Sequence, residues 1–179
     1  MIETERLRLR EWRDGDARIF EAHTNTPEVM RWLGGVQPSA YYDNLVARMQ
    51  ALQAERGHSF WVVELRADET PLGFCGLKIV DAPGATVPGE VEIGWRFREE
   101  AWGKGYAKEA AQASLATAFG SVGAPRVVAF TCDGNRASWG LMERLGMIRR
   151  PDLDFDDPRY GADLNPTIVY VLESDQWKM

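Results

Sequence analysis

Apolar and polar positions alternate from the start of the chain. Leu7 and Leu9, with Trp12 beyond them, alternate with Arg6, Arg8 and Arg10, which predicts a strand with one wet, basic face. Asp14 then stands where it would cap a short helix through Ala17, Phe20 and Ala22. Thr26-Pro27-Glu28 combines a capping hydroxyl, a first-turn proline and an acid, so it predicts a compact helix that stops at Gly34-Gly35. From Ser39, a longer helix places Leu45, Met49 and Leu52 on one face and ends before Gly57. Residues 59–65 and 72–79 are rich in β-branched and aromatic side chains and turn around Asp68-Glu69, which reads as a hairpin. A loop follows over 81–89, marked by Pro83, Gly84 and Pro88.

The most informative stretch runs from Glu90 to Gly120. Charged and apolar residues alternate at Glu90, Val91, Glu92 and Ile93 and give way to an apolar run ending at Phe97, the pattern of a strand entering a core. Beyond a Gly-x-Gly turn, Ala107, Ala111, Leu115 and Ala118 recur at helical spacing, giving a helix with a narrow apolar face. A strand that passes through glycines into a helix N-terminus makes an anion site. The first N–H groups of the helix have no internal partner, the dipole favours negative charge, and Gly103 and Gly105 allow close approach to the backbone. A strand over 126–132, a helix over 137–145 closed by Gly146, and a last strand over 167–172 complete the pattern. Residues 152–166, with five aspartates, two prolines and a glycine, read as an exposed loop.

Length and composition narrow the class. With 179 residues, 45% of them hydrophobic, the chain is expected to form one domain spanning 1–179. Its 27 acidic against 21 basic residues give a net charge of −6, which argues against a nucleic-acid partner held by a basic field. Cys75 and Cys132 lie inside expected strands without metal-type spacing and are expected to be buried thiols. Asp152, Asp154 and Asp156 invite a calcium reading, but Asp157 stands where the required glycine belongs and no glutamate follows at the twelfth position, so no metal is expected. Without an apolar leader or long apolar run, a cytoplasmic location away from membranes is expected.

Trp102-Gly103-Lys104-Gly105-Tyr106 is a weak motif alone. Together with Gly134-Asn135-Arg136-Ala137-Ser138 and Glu143-Arg144-Leu145-Gly146-Met147 after the 126–132 strand, it resembles the acetyl-CoA-binding core of the GNAT acetyltransferase superfamily. Thr4-Glu5-Arg6-Leu7-Arg8-Leu9-Arg10 further resembles the opening strand of the ribosomal-protein N-terminal acetyltransferase (RimJ/RimL-like) branch. The resemblance implies an α/β (α+β) fold, with a central, mixed but mostly antiparallel sheet of about six or seven strands flanked by helices. It also implies transfer of an acetyl group from acetyl-CoA to a primary amine by direct attack, in a monomer or homodimer. Gly103, Lys104, Gly105, Tyr106 and Ala107 would hold the pyrophosphate, Trp95 to Phe97 would pair along the pantetheine, and Asn135 would contact the cofactor arm. Glu92 matches a family general base, while Ser138 would donate toward the departing sulfur because Met142 occupies the position where many members have a tyrosine acid. Glu100 stands where many members have Gln or Arg. Trp32 and Tyr41 or Tyr42 are candidate lining residues of the acceptor pocket, and His23 and His58 lie outside both blocks.

An α-amine with a pKa near ~7.8 costs about 1 kcal/mol to deprotonate at pH 7, whereas a lysine near ~10.4 costs roughly 4.6 kcal/mol. A carboxylate base therefore favours a peptide N-terminus or another low-pKa amine. The alternatives are a small-molecule N-acetyltransferase for polyamines or antibiotics, marked by an enclosed pocket in place of an open groove, and a non-catalytic acyl-CoA-binding domain. A dinucleotide-binding domain is disfavoured because Gly103-Lys104-Gly105 lacks the third glycine of that fingerprint.

Overall fold

A computed structural model of the chain describes residues 1–178. Its strands are β1 (Ile2–Glu3), β2 (Leu7–Arg10), β3 (Phe60–Leu65), β4 (Pro71–Ile79), β5 (Val91–Phe97), β6 (Arg126–Cys132), β7 (Ile148–Arg149) and β8 (Thr167–Glu173). They form one sheet in the order β1-β2-β3-β4-β5-β6-β8-β7. Every neighbouring pair is antiparallel except β5 with β6, which run parallel. The count exceeds the expected six or seven because β1 and β7 have two residues each, too few to leave a periodic signal.

The described residues also form five α-helices: α1 (Asp16–Thr24), α2 (Pro27–Met30), α3 (Ser39–Arg56), α4 (Tyr106–Phe119) and α5 (Arg136–Arg144). On one face, α4 buries Ala110, Ala111, Leu115 and Ala118 against Leu7, Leu9, Leu77, Ile93 and Val127. Four of the buried α4 residues are alanine or serine, so this helix lies close to the strands. On the opposite face, α1 and α3 cover Trp12, Phe20, Tyr42, Phe60 and Phe74. A third cluster, Val80, Val128, Phe155 and Val169 among its members, occupies that same face farther along the sheet. The second and third clusters do not merge. The gap between them lies over β5.

Several helix signals hold. Thr26 Oγ1 accepts from Val29 N at 3.2 Å and caps α2, while Gly57 and Gly146 take left-handed conformations at the ends of α3 and α5. Others need correction. The N-cap of α1 is Gly15 rather than Asp14, and Ala22 is exposed, so the buried stripe of this helix is Asp16, Phe20 and Thr24. Tyr42, Val46 and Met49 form the buried face of α3, with Leu45 and Leu52 at its margin. Trp12 lies past the end of β2 and turns to the α1–α3 side, opposite Leu7 and Leu9.

The basic face of β2 is not wet along its length. Arg10 is only 5% exposed, because α1 closes over that end of the strand. Two carboxylates neutralise it there: Nε lies 2.6 Å from Glu64 Oε2, and Nη1 and Nη2 lie 2.7 and 3.0 Å from Asp16. The loop over 152–166 is likewise not fully exposed. Phe155, Asp157 and Leu164 are buried, since the segment folds back over the sheet and Asp157 ties to Arg159 at 2.5 Å.

Removing one member of a buried ion network leaves the others desolvated and unpaired, which costs about 3–5 kcal/mol. Glu64→Ala is therefore expected to lower the unfolding free energy in urea by that amount. The triple replacement Arg10→Met, Asp16→Asn and Glu64→Leu, which leaves no buried charge of the network without a partner, is expected to lose less than the single one. Equal losses would show that the network is not energetically coupled.

Candidate active site

The site begins with the alternation of β5. Val91, Ile93 and Phe97 enter the α4 core, so Glu92, Gly94 and Arg96 face the gap on the other side of the sheet. Their cross-strand partners on β4 are Lys78, Gly76 and Phe74 respectively. Gly94 leaves room for the Phe60 ring, and Gly76 for the β3 backbone, where an added Cβ would collide with Ser59 O. A Cβ on Gly94 would come within 2.7 Å of Phe60 Cζ. Phe60 in turn stacks on Phe74 with centroids 5.1 Å apart and planes 7° apart. The floor is thus an aromatic plate with Lys78 and Glu92 at one end and Arg96 at the other.

β5 and β6 are hydrogen-bonded only where Val91 meets Val127 and Glu92 meets Val128. Beyond that point β5 continues with β4 as far as Phe97, and β6 continues with β8 as far as Cys132. The two halves of the sheet part directly after Glu92, and the edge of β5 turned towards β6 loses its ladder partners. On one side of this fork stands the N-terminus of α4. Gly103 and Gly105 have φ of +72° and +81°, no side chain caps the helix, and the first backbone bond is from Glu109 N to Gly105 O at 3.1 Å. The amides of Tyr106, Ala107 and Lys108 are therefore left for an anion. On the other side α5 begins at Asn135, whose side chain accepts from Ser138 N at 3.3 Å.

The opening strand fixes the α4 turn. Glu109 accepts from Thr4 Oγ1 at 2.6 Å and from Arg6 N at 2.9 Å, and its Oε2 lies 2.7 Å from the Arg6 guanidinium. Arg6 also donates to the Lys104 carbonyl at 3.0 Å and lies 4.7 Å over the Tyr106 ring. Partial burial raises the Glu109 pKa, but the bonds from Thr4 and Arg6 outweigh it and hold this carboxylate below its ordinary value.

Two contacts roof the floor. The Trp32 ring lies against Gly134, where an added Cβ would meet it at 2.7 Å, and the Tyr160 ring lies against Gly34, where the same distance is 3.3 Å. Beneath them is a cavity of about 750 Å³. Glu92, Ser138 and Asn135 all line it, as do Trp95 and Phe97. Gly103, Gly105, Tyr106 and Ala107 line it from the α4 side. Lys104 is the exception: its side chain is exposed and Lys108, one turn on, lines the cavity instead. Among the aromatic candidates, Trp32 lines the cavity, Tyr41 accepts from Arg96, and Tyr42 is fully buried in the core. Glu100 is exposed and bonds Arg98 at 2.9 Å.

Glu92 is mostly buried, with 13% of its side chain exposed, and its Oε2 lies 2.6 Å from Lys78 Nζ. Lys78 thus forms an ion pair with Glu92 and also donates to Asp81 at 2.7 Å. Burial pushes the Glu92 carboxyl pKa up, and the Lys78 ammonium pulls against it without cancelling it. A proton acceptor strengthened in this way at the fork of two strands is suited to general-base chemistry. The histidines are elsewhere: His23 is exposed, and His58 is buried with Nδ1 3.4 Å from Leu77 O. Burial raises the Cys75 thiol to about 12, which leaves it inert as a nucleophile. Among the described residues no group of three or more His, Cys, Asp or Glu side chains is arranged to hold a metal ion.

Phe60, Arg96, Arg159 and Tyr160 line the same cavity and were not among the expected site residues. For Arg96 a signal exists, since it follows Glu92 by four residues on a strand and must share its face. Arg159 and Tyr160 come from the irregular loop before β8, where no periodicity points inward.

The sequence profile of the acetyltransferase (GNAT) domain matches residues 6–148. The Bacillus subtilis protein YkkB is 34% identical over 145 residues, covering 80% of this chain and 83% of that protein. Among solved structures, an acetyltransferase from Agrobacterium tumefaciens superposes with a TM-score of 0.81 at 26% identity, over 96% of this chain and 93% of that one. A ribosomal-protein-S5-alanine acetyltransferase from Vibrio fischeri has the same fold, with a TM-score of 0.73 at 17% identity over 99% and 98% of the two chains.

Because Lys78 opposes the effect of burial on Glu92, Lys78→Met is expected to raise the Glu92 pKa further, as read by carboxyl carbon NMR across a pH titration. A carboxyl with a raised folded pKa subtracts stability as pH rises from its unfolded value, near ~4.3, through the folded one. The variant is therefore expected to lose more stability than the parent over that window. An unchanged titration would mean that Lys78 does not govern this carboxylate.

Proposed function

Since the chain belongs to the GNAT acetyltransferase family, we propose that it moves the acetyl group of acetyl-CoA to a primary amine inside the roofed cavity, acting as one domain over residues 1–179. The observation that carries this reading is the convergence of Glu92, at the fork of β5 and β6, with the uncapped N-terminus of α4 in a single cavity.

The residues present fit acetyl-CoA. A Cβ at Gly103 would meet nothing within 4 Å, so a pyrophosphate has room above the loop, and the free amides at the start of α4 supply donors. The parted edge of β5 from Trp95 to Phe97 offers strand-like pairing to an extended amide-bearing arm, and Asn135 keeps an amide group beside it while its oxygen caps α5. When bound, acetyl-CoA supplies an activated thioester carbon. Glu92, directly or through water, accepts the proton that the amine gives up as the new N–C bond forms. Ser138 Oγ donates toward the sulfur as the C–S bond breaks, in place of the tyrosine that Met142 replaces.

The acceptor is a primary amine on a compact molecule. Burial strengthens Glu92 as a proton acceptor and so extends the range beyond α-amines, and the Trp32–Gly134 and Tyr160–Gly34 contacts cover part of the floor, which favours a small acceptor over a protein surface. A peptide N-terminus, the acceptor of the RimJ/RimL-like branch, is the second reading. It is supported by the Thr4-Glu5-Arg6 segment that clamps α4.

Thiol release from acetyl-CoA, measured over short peptides, polyamines, aminoglycosides and small α-amines, separates the two. Release with small amines alone supports the compact acceptor, and release with peptides alone makes the protein an N-terminal acetyltransferase. Glu92→Gln is expected to lower turnover by about 10²–10⁴ and to remove the acidic limb of the pH–rate profile, with acetyl-CoA affinity nearly intact. An unchanged profile would take Glu92 out of the base role.

A further inference from the structure

We infer that the acceptor carries a carboxylate as well as an amine, and that Arg96 binds it at the far end of the aromatic floor. This rests on the proposed acetyl transfer, which places the amine at Glu92.

Arg96 is 7% exposed and lines the cavity. Its Nη2 donates to Tyr41 Oη at 2.9 Å, while Nε and Nη1 are shielded from solvent and have no hydrogen-bond partner. Among the described residues no carboxylate lies within 4.0 Å of it. Its neighbours are aromatic faces: the guanidinium carbon lies 5.4 Å from the Phe74 centroid and 5.7 Å from those of Phe20 and Tyr41. These stabilise a cation but do not satisfy its N–H donors.

Three other cations near the floor are matched, and Arg31, Lys108 and Arg144, which also line the cavity, are exposed to solvent. Arg48 pairs with Asp81, Lys78 contacts both Asp81 and Glu92, and Arg159 contacts Asp157 at 2.5 Å. Among the described residues Arg96 alone presents a buried positive charge without its counterpart. A buried unpaired charge is unfavourable unless an opposite charge arrives with hydrogen-bonding capacity, and a planar carboxylate fits a guanidinium best. Glu92 and Arg96 are four strand residues apart, roughly 13 Å between Cα atoms, and both side chains reach over Phe60 and Phe74. The molecule that fits has an amine at one end, a carboxylate at the other and an apolar spacer lying on the aromatic plate. This assigns the acceptor to the amino carboxylates and excludes polyamines, whose second charge would meet Arg96 with the same sign.

The test uses the full chain and a series of unbranched amino acids, from glycine through β-alanine and γ-aminobutyrate to δ-aminovalerate, each beside its carboxamide. Binding is measured by calorimetry with CoA present, and thiol release with acetyl-CoA. The expected result is tighter binding and higher kcat/KM for at least one acid than for its amide, by about tenfold to a hundredfold. Arg96→Gln is expected to abolish that preference and Arg96→Lys to retain part of it. Equal behaviour of acids and amides in the parent protein overturns the inference, whatever the variants do, and so does a preference that survives Arg96→Gln. Selective, Arg96-dependent binding without thiol release would uphold the carboxylate site and overturn the acetyl-transfer reading instead.

Discussion

The constraint on which the rest depends is the parting of β5 and β6 after two residue pairs. The strands part while each stays paired along its other edge, β5 to β4 through seven pairs and β6 to β8 through seven, so the two halves of the sheet remain ordered as they splay. The backbone groups freed along the fork would be a liability in a closed core. They are tolerable because the fork opens into a cavity. The same opening sets Glu92 at the last paired position, where the sheet is still rigid, with the α4 N-terminus on one flank and α5 on the other.

Rigidity at the fork is secured from a distance. The α4 turn has no side-chain cap of its own, which leaves its amides free but leaves the turn weakly determined. Thr4 and Arg6 supply the missing restraint by binding Glu109 and the Lys104 carbonyl from outside the cavity. The N–H groups thus remain available while the loop that carries them is tied to β2. An ordinary Ser or Asp cap at position 105 would have stabilised the helix and consumed the donors.

Much of this was legible in the sequence. The alternation of Glu90 through Ile93, the glycines at 103 and 105 and the alanine-rich stripe after them read as a strand, a glycine turn and a helix with a narrow apolar face, and those elements stand in the structure. What period and composition could not show was how faces are covered. Arg10 reads as a solvent-facing residue until α1 brings Asp16 over it, and residues 152–166 read as an exposed loop until Phe155 and Leu164 fold inward. Arg159 and Tyr160 reach the cavity from a segment with no repeating pattern, so their place is fixed by tertiary packing. Arg96 is the instructive case, because its side of the strand followed from that of Glu92, but its lack of a partner did not. Whether a charge is matched depends on which other elements surround it.

The same distinction bears on charge and substrate. A net charge of −6 describes the far field, which governs encounter and solubility and falls off within a Debye length. Selection inside a cavity is decided by the nearest few groups at low dielectric, where one unmatched guanidinium outweighs a surface excess of carboxylates. The surface would admit a cationic amine, and the floor discriminates after entry. At one end Glu92, paired with Lys78 and raised in pKa by burial, can accept a proton. At the other, Arg96 Nε and Nη1 are donors with nothing to receive them among the described residues. An amine alone would satisfy the first and leave the second as it was. A molecule with both charges satisfies each end, and the aromatic plate between them holds its spacer without adding a polar demand.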